Sequence, residues 1–584
     1  MDNQPADAES AAIAPCPAPA AEAPESGQPG PWPWWLGRHP LLALTAALVI
    51  WGLIDVRSRG RIEPGNLVEH RTDFTVYTAA GAACFDGRDP YAVTNARGWG
   101  YLYPPLPAIV VAPLATLDPE WQVTIWFFVS LLLLWGCYRE TTLLVDWLAA
   151  GKGTVPFCCA DSAKLGPSPA WESKPSHFAA RTSQNWNSPH DRPPNWLPWA
   201  AAIAAALPTL NCLQRGQVGL VQLYLLLAGF RLLMVGTPRG RFAAAWRALP
   251  AGVILALAVV IKVTAALPVG LLLVERLAAA RRQPRPGEPA RRKNRSGDVA
   301  PGLAKGLAAG LALGLALWLL LVPGWAIGWQ RNLDCLARWC SLVPTKAIDT
   351  GPSLFAGDSY SVRNQSLVNA IRHLGNWIAE DVARGGDSLP AAGPHDAPRA
   401  MDSPVANGLL LAARLAVLGL AVLAAVWAGR RRDPLATASL FALGLVASLV
   451  VSPVARTHYF LLVAPAVLFV PWQLERAGRR RLAWWMAWTP TVLVVPHYFW
   501  PLAAGRVGWL GIGITVWLVA AGIWLWSTGR TRRGGPMVLA WREMAPRQAA
   551  EEEIAPTASA TDRSAHCRAA AASCAAGGFD PSES

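Results

Sequence analysis

The chain has 584 residues, of which 53 % are hydrophobic, 15 % charged and 30 are Trp. A soluble domain carries about 25 % charged residues and far less apolar surface, so this composition excludes a water-soluble globule and points to a multi-pass membrane protein. The formal charge of +14 would suggest nucleic acid in a soluble protein, but the basic residues lie in short loops beside apolar spans, and no nucleic-acid partner is inferred.

Residues 1–38 begin as an Ala-, Pro- and acid-rich stretch without hydrophobic period and read as a disordered cytoplasmic tail. The first apolar run lies too deep, and lacks the cleavage site, for a secretory signal. That run, 39–56, is the first predicted span, with Trp32, Trp34 and Trp35 ahead of it as an interfacial belt. Residues 57–119 form a polar, aromatic loop that carries short amphipathic helices. In it, 74–85 is predicted to be helical, which sets Asp73 and Tyr77 on one face, and Gly87, Asp89 and Pro90 end that helix. The cluster Tyr101, Tyr103, Pro104, Pro105 restarts the chain in extended form before the apolar run at 106–117.

A span at 121–138 crosses back, with Arg139 and Glu140 at its inner end. Residues 151–195 are Ser-, Pro- and Asn-rich and read as a low-complexity cytoplasmic insertion. Further apolar runs occupy 197–212, 217–236, 249–274, 303–322, 406–428, 435–452, 458–474, 482–501 and 507–527, with a long loop at 323–405 and a disordered cytoplasmic tail at 529–584. The reading is an all-α bundle of about 11–12 transmembrane helices over 39–528.

Orientation follows from the arginines. The stretch 276–295 carries eight basic residues, and 430–432, 476–481 and 530–533 are compact basic clusters. All fit the cytoplasm by the positive-inside rule, provided that 249–274 is two short helices turning near Lys262 and Pro268. The loops 57–119 and 323–405 then face outward, and the protein sits in the inner membrane with its chemistry on the periplasmic side. Cys335 and Cys340 read as two unpaired thiols that an oxidising compartment would allow to pair. None of the ten Cys has the CxxC spacing with His partners that structural zinc needs.

This topology collects Asp73, the QRGQ run ending at Gln217, Lys262, the RNQSL run with Asn364 and Gln365, and SPVARTHYF with Arg456 and His458 on one side. Each has an ordinary alternative: Asp73 as a helix cap or partner of Arg71, Lys262 as a snorkelling side chain, Arg456 and His458 as interface residues, and Asn364 to Ser366 as turn chemistry or an N-x-S acceptor. Together, a carboxylate, a lysine, an arginine and a histidine facing one leaflet suit binding a lipid phosphate and deprotonating a hydroxyl. A transporter or flippase for lipid-linked sugars is the competing class, since charges near broken helices also mark translocation paths.

The runs DFTVY (73–77), GRDPY (87–91) and YPPL (103–106) resemble the first outer loop of glycosyltransferase family 87. Gly216 with Gln217, Lys262 at an apolar-helix end, NQSL (364–367) with Arg372, and Ser452 and Pro453 with His458 follow in the same order. These are polyprenyl-phosphate-mannose-dependent membrane mannosyltransferases of the C-type fold. The resemblance implies inverting transfer of a sugar, usually mannose, from a polyprenyl-phosphate donor to a lipid or glycan hydroxyl outside the membrane, without a nucleotide-sugar site; no cofactor is expected. It implies Asp73 as general base, Lys262, Arg456 and His458 on the donor phosphate, and Tyr77, Tyr103, Gln217, Asn364 and Gln365 against the substrates.

Overall fold

The computed structural model describes residues 49–62, 70–95, 100–150, 192–235, 240–281, 290–342, 364–372, 374–375, 404–431, 433–452 and 454–531. The predicted tail at 1–38 with its tryptophans, the start of the first span, 151–191 of the insertion, most of the 323–405 loop beyond residue 342, and the tail from 532 lie outside the described residues. Residues 1–518 make one compact unit; Val519 opens a second, of which the end of the last helix is described.

Among the described residues the regular structure is helical, with one isolated bridge between Thr94 and Gly100. The first described stretch holds α1 (residues 49–60), α2 (Phe74–Asp86) and α3 (Pro105–Val111), which tightens into a 3₁₀ turn at Ala112–Thr116. Next come α4 (Pro119–Ala149), α5 (Trp196–Arg215), α6 (Gly219–Met234), α7 (Arg241–Ile261) and α8 (Ala266–Ala280). A long helix follows as α9 (Ala290–Leu315), a π segment (Ala316–Leu321) and α10 (Val322–Ile327), and then α11 (Trp329–Leu342). The remainder is α12 (residues 367–372), α13 (Pro404–Arg431), α14 (Pro434–Val451), a 3₁₀ segment (Thr457–Val463) running into α15 (Ala464–Arg476), α16 (Arg480–Phe499), α17 (Pro501–Arg506) and α18 (Trp509–Thr531).

Nine helical stretches among the described residues are long and apolar enough to cross a membrane; α6 and the α3 region are shorter apolar helices. The stretches differ in burial: 89 % of the α14 window is buried and only 17 % of the α13 window. A helix apolar on every side belongs in the middle of a bundle or against lipid, and α14 takes the first place, α13 the second. Asp433 fixes where α14 starts, its Oδ1 accepting from the Leu435 amide at 3.1 Å with Pro434 at the first helical position.

The predicted division of 249–274 is observed at Lys262, whose backbone is extended at φ −157° and ψ 116° between α7 and the turn that opens α8. Both halves are of spanning length, at 21 and 18 residues, rather than short. Pro268 falls in the first turn of α8, where its missing N–H breaks no bond, so the lysine marks the break and the proline does not. The span ending near Arg139 and Glu140 instead runs on to Ala149. Glu140 is buried because Arg231 of α6 is hydrogen-bonded to it, which compensates the charge inside the bundle.

The α7/α9 pair is sealed by Gly302, Gly306, Gly310 and Gly314, four residues apart on one face of α9. A Cβ on the first three would stand 2.1–2.2 Å from the carbonyl oxygens of Arg241, Ala245 and Leu249, so backbone meets backbone. Beyond this stripe the π segment leaves carbonyls without their α-helical partners, and Asn332 of α11 donates to those of Leu319 (2.8 Å) and Leu320 (3.4 Å).

Candidate active site

The site starts from a close approach of two chain segments. At the end of α5, Gly216 takes the left-handed conformation (φ 65°), and a Cβ there would stand 2.7 Å from Phe74 Cβ. The approach lets the Asp73 amide donate to the Arg215 carbonyl at 2.8 Å. Gln217, just past the turn, donates its side-chain amide to Asp73 Oδ2.

Asp73 stands at the N-cap of α2 but its side chain makes no capping bond. The Thr72 hydroxyl instead accepts from the Phe74 amide at 3.2 Å and donates to the Arg215 carbonyl at 3.3 Å. The cap alternative for Asp73 therefore fails, and its carboxylate is turned toward Gln217, almost buried. Helix α2 behind it is enclosed well beyond one face, with nine of its thirteen residues buried, and Phe74 stacks on Trp126 of α4 at 4.6 Å. The predicted helix is thus an inserted plug, stopped at Gly87 (φ 85°).

Four tyrosines line the next layer. The Tyr77 and Tyr103 rings meet edge to face at 5.3 Å with hydroxyls 3.5 Å apart, and Tyr91 donates to the Tyr103 carbonyl at 3.2 Å. The Tyr101 hydroxyl donates to the Pro104 carbonyl at 2.6 Å and accepts from the Ala108 amide at 3.2 Å, which pins the extended YPP turn against α3. Burial pushes the Tyr77 phenol well up and Tyr103 to about 12. Both are neutral hydroxyls near neutral pH and do not compete with a carboxylate as base.

Lys262 lies in the break between α7 and α8, nearly buried, with Nζ 3.1 Å from the centroid of the Tyr459 ring. Burial lowers its pKa to about 7, a fall that Cys212 and Asp73 oppose and Arg456 reinforces. Gln222 of α6 steadies the break, donating to Thr264 Oγ1 at 2.9 Å and to the Lys262 carbonyl at 3.4 Å. His458 follows Arg456 and Thr457 on the 3₁₀ segment, 1 % exposed, with neither ring nitrogen hydrogen-bonded.

Asp73, Gln217, Tyr77, Tyr103, Lys262, Arg456 and His458 are thereby brought together, since Asp73 and Arg456 both act electrostatically on Tyr103 and on Lys262, and Lys262 and Arg456 on His458. Asn364 and Gln365 are placed differently. The Asn364 Oδ1 accepts from the amides of Ala455 (2.9 Å) and Ser366 (3.2 Å); the Gln365 side chain bonds Gly505 O and the Gly511 amide at 3.4 and 3.3 Å. These side chains hold backbone, and the Gln365 amide donates to Ala455 O at 2.7 Å, directly ahead of Arg456.

Sequence reasoning missed Tyr459 and Gln222. Tyr459 stood inside the SPVARTHYF run, beside a residue already chosen. Gln222 is a polar side chain in an apolar helix, which is itself a signal.

The model of glycosyltransferase family 87 matches residues 101–453, more than half of the chain. The chain belongs to glycosyltransferase family 87. This family 87 protein is a membrane glycosyltransferase, with a sugar donor and an acceptor as its substrates. The matched stretch takes in Tyr103, Gln217, Lys262, Asn364 and Gln365 of the transferase; Asp73 and Tyr77 precede it, and Arg456 and His458 follow it. No curated protein and no solved structure matches the chain.

Proposed function

We propose that this glycosyltransferase moves a hexose, with mannose the sugar its family resemblance implies, from a polyprenyl-phosphate donor to a lipid or glycan hydroxyl at the outer face of the cell membrane. The observation that carries the reading is the buried carboxylate of Asp73, oriented by Gln217, beside the cations Lys262 and Arg456. In this mechanism the acceptor hydroxyl attacks the anomeric carbon from the side opposite the phosphate. Its proton passes to Asp73, the bond from that carbon to the phosphate oxygen breaks, and the configuration inverts. Lys262 and Arg456 stabilise the charge that grows on the departing phosphate, in a site where partial exclusion of water strengthens each cation.

His458 offers ring nitrogens to the same phosphate, and the Tyr77 and Tyr103 hydroxyls face the sugar as neutral partners. Asn364 and Gln365 act by setting the backbone from which Arg456 projects. The outer orientation rests on the basic clusters, which the positive-inside rule assigns to the cytoplasm. The test is the purified protein in detergent, given radiolabelled polyprenyl-phosphate mannose and a panel of acceptors. New glycosidic product is expected. A flippase would form no bond under these conditions and would move lipid-linked sugar only across vesicles.

A further inference from the structure

One stripe of α11 reaches the end of α2 and the chain that follows it. Arg331 Nη2 donates to the Ala83 carbonyl at 3.1 Å and lies 3.5 Å from that of Arg88; Trp339 Nε1 donates to the Leu102 carbonyl at 3.3 Å. Arg338 and Asp89 add an exposed ion pair at 3.8 Å. Cys335 lies one turn beyond Arg331 and one turn before Trp339, so it faces the same surface. What it meets there is Cys84, the residue after Ala83: both thiols are free, both are buried, and each acts electrostatically on the other. Cys340, five residues on, points about 140° away around the helix and is exposed. Cys335 and Cys340 are unpaired with each other, as expected, and the thiol that Cys335 faces is Cys84.

We propose that Cys84 and Cys335 are a disulfide-forming pair that staples α11 to the helix bearing Asp73. The two sulfurs are not equivalent. The neighbouring Cys335 and burial push Cys84 up, while Cys84 and the Arg331 guanidinium lower Cys335. Cys335 is thus the thiol that ionises more readily and attacks first.

With a small disulfide or a dithiol–disulfide oxidant, the Cys335 sulfur attacks one oxidant sulfur and expels the other as thiolate. Cys84 then loses its proton and attacks the Cys335 sulfur, which releases the oxidant's remaining sulfur as thiolate. One protein S–S bond forms, one oxidant S–S bond is reduced, and the two protons lost by the protein are taken up by the two oxidant thiolates. The bond closes a loop of about 250 residues, a length at which a cross-link restricts the unfolded chain strongly.

The test uses full-length protein in isolated membranes, treated with oxidised glutathione, denatured, alkylated with N-ethylmaleimide and digested for mass spectrometry. A peptide pair joined through Cys84 and Cys335 is expected, lost after dithiothreitol and in Cys335→Ala. Alkylation of both cysteines after oxidation, or linkage of Cys335 to Cys340, overturns the proposal. The result is read in the unsubstituted chain and does not involve sugar transfer, so it stands or falls apart from the proposed reaction.

Discussion

The side-chain amide of Gln217 is hydrogen-bonded to the carboxylate of Asp73 across 144 residues of sequence. An amide donor fixes a carboxylate in direction without neutralising it, as a guanidinium partner would. Asp73→Asn keeps the shape and removes the proton acceptor, so transfer should fall by roughly 100-fold or more while donor binding survives. Asp89, exposed and opposite Arg338, supplies the control. If Asp89→Asn loses turnover and Asp73→Asn does not, the base belongs to the turn after α2.

Lys262 gives a pH signature. Its pKa, lowered to about 7 by burial, leaves the ammonium charged on the acid side and lost as pH rises through that value. The donor kcat/KM should therefore decline between about pH 7 and 9 in the free enzyme's profile. Lys262→Met should lower it at acid pH and flatten that limb while expression is unchanged. Equal kinetics in the two proteins would return Lys262 to a snorkelling role.

Cys340 reports the sidedness of α11 without any engineering, being an exposed thiol. A membrane-impermeant maleimide applied to intact spheroplasts should label it, as read by peptide mapping against Cys340→Ser. Labelling only after permeabilisation would turn the protein over and remove the outer-face proposal.

The α7/α9 seam should be intolerant of a methyl group. Gly306→Ala sets a Cβ about 2.1 Å from the Ala245 carbonyl oxygen, and forced repacking of this kind costs about 1–3 kcal/mol. The midpoint of thermal aggregation in detergent should drop. Gly270→Ala, with nothing within 4 Å, should leave it level or raise it slightly.

Local chemistry was legible in the sequence and long-range pairing was not. An ammonium inside an apolar run announced the break at Lys262, and small residues ahead of Gly87 announced α2. Glu140 looked like the end of a span because Arg231, 91 residues away, could not be seen to compensate it. Asn364 and Gln365 bond the backbone of residues 91 and 140 positions away, pairings that no local pattern shows. Cys335 has Cys340 as its neighbour in sequence and Cys84, on another helix, as its neighbour in space.

The π segment at Ala316–Leu321 sets the rotational phase between two anchorages. A π turn contains one residue more than an α turn, so it offsets everything downstream by about 100° around the axis. Deleting one residue there would leave Gly302 to Gly314 seated on α7 and rotate α10 beyond it. Gly324, whose missing Cβ leaves room for the Trp329 ring, would turn away, and the start of α11 with it. A single residue of chain length thus decides whether Arg331 and Cys335 face the helix that carries Asp73.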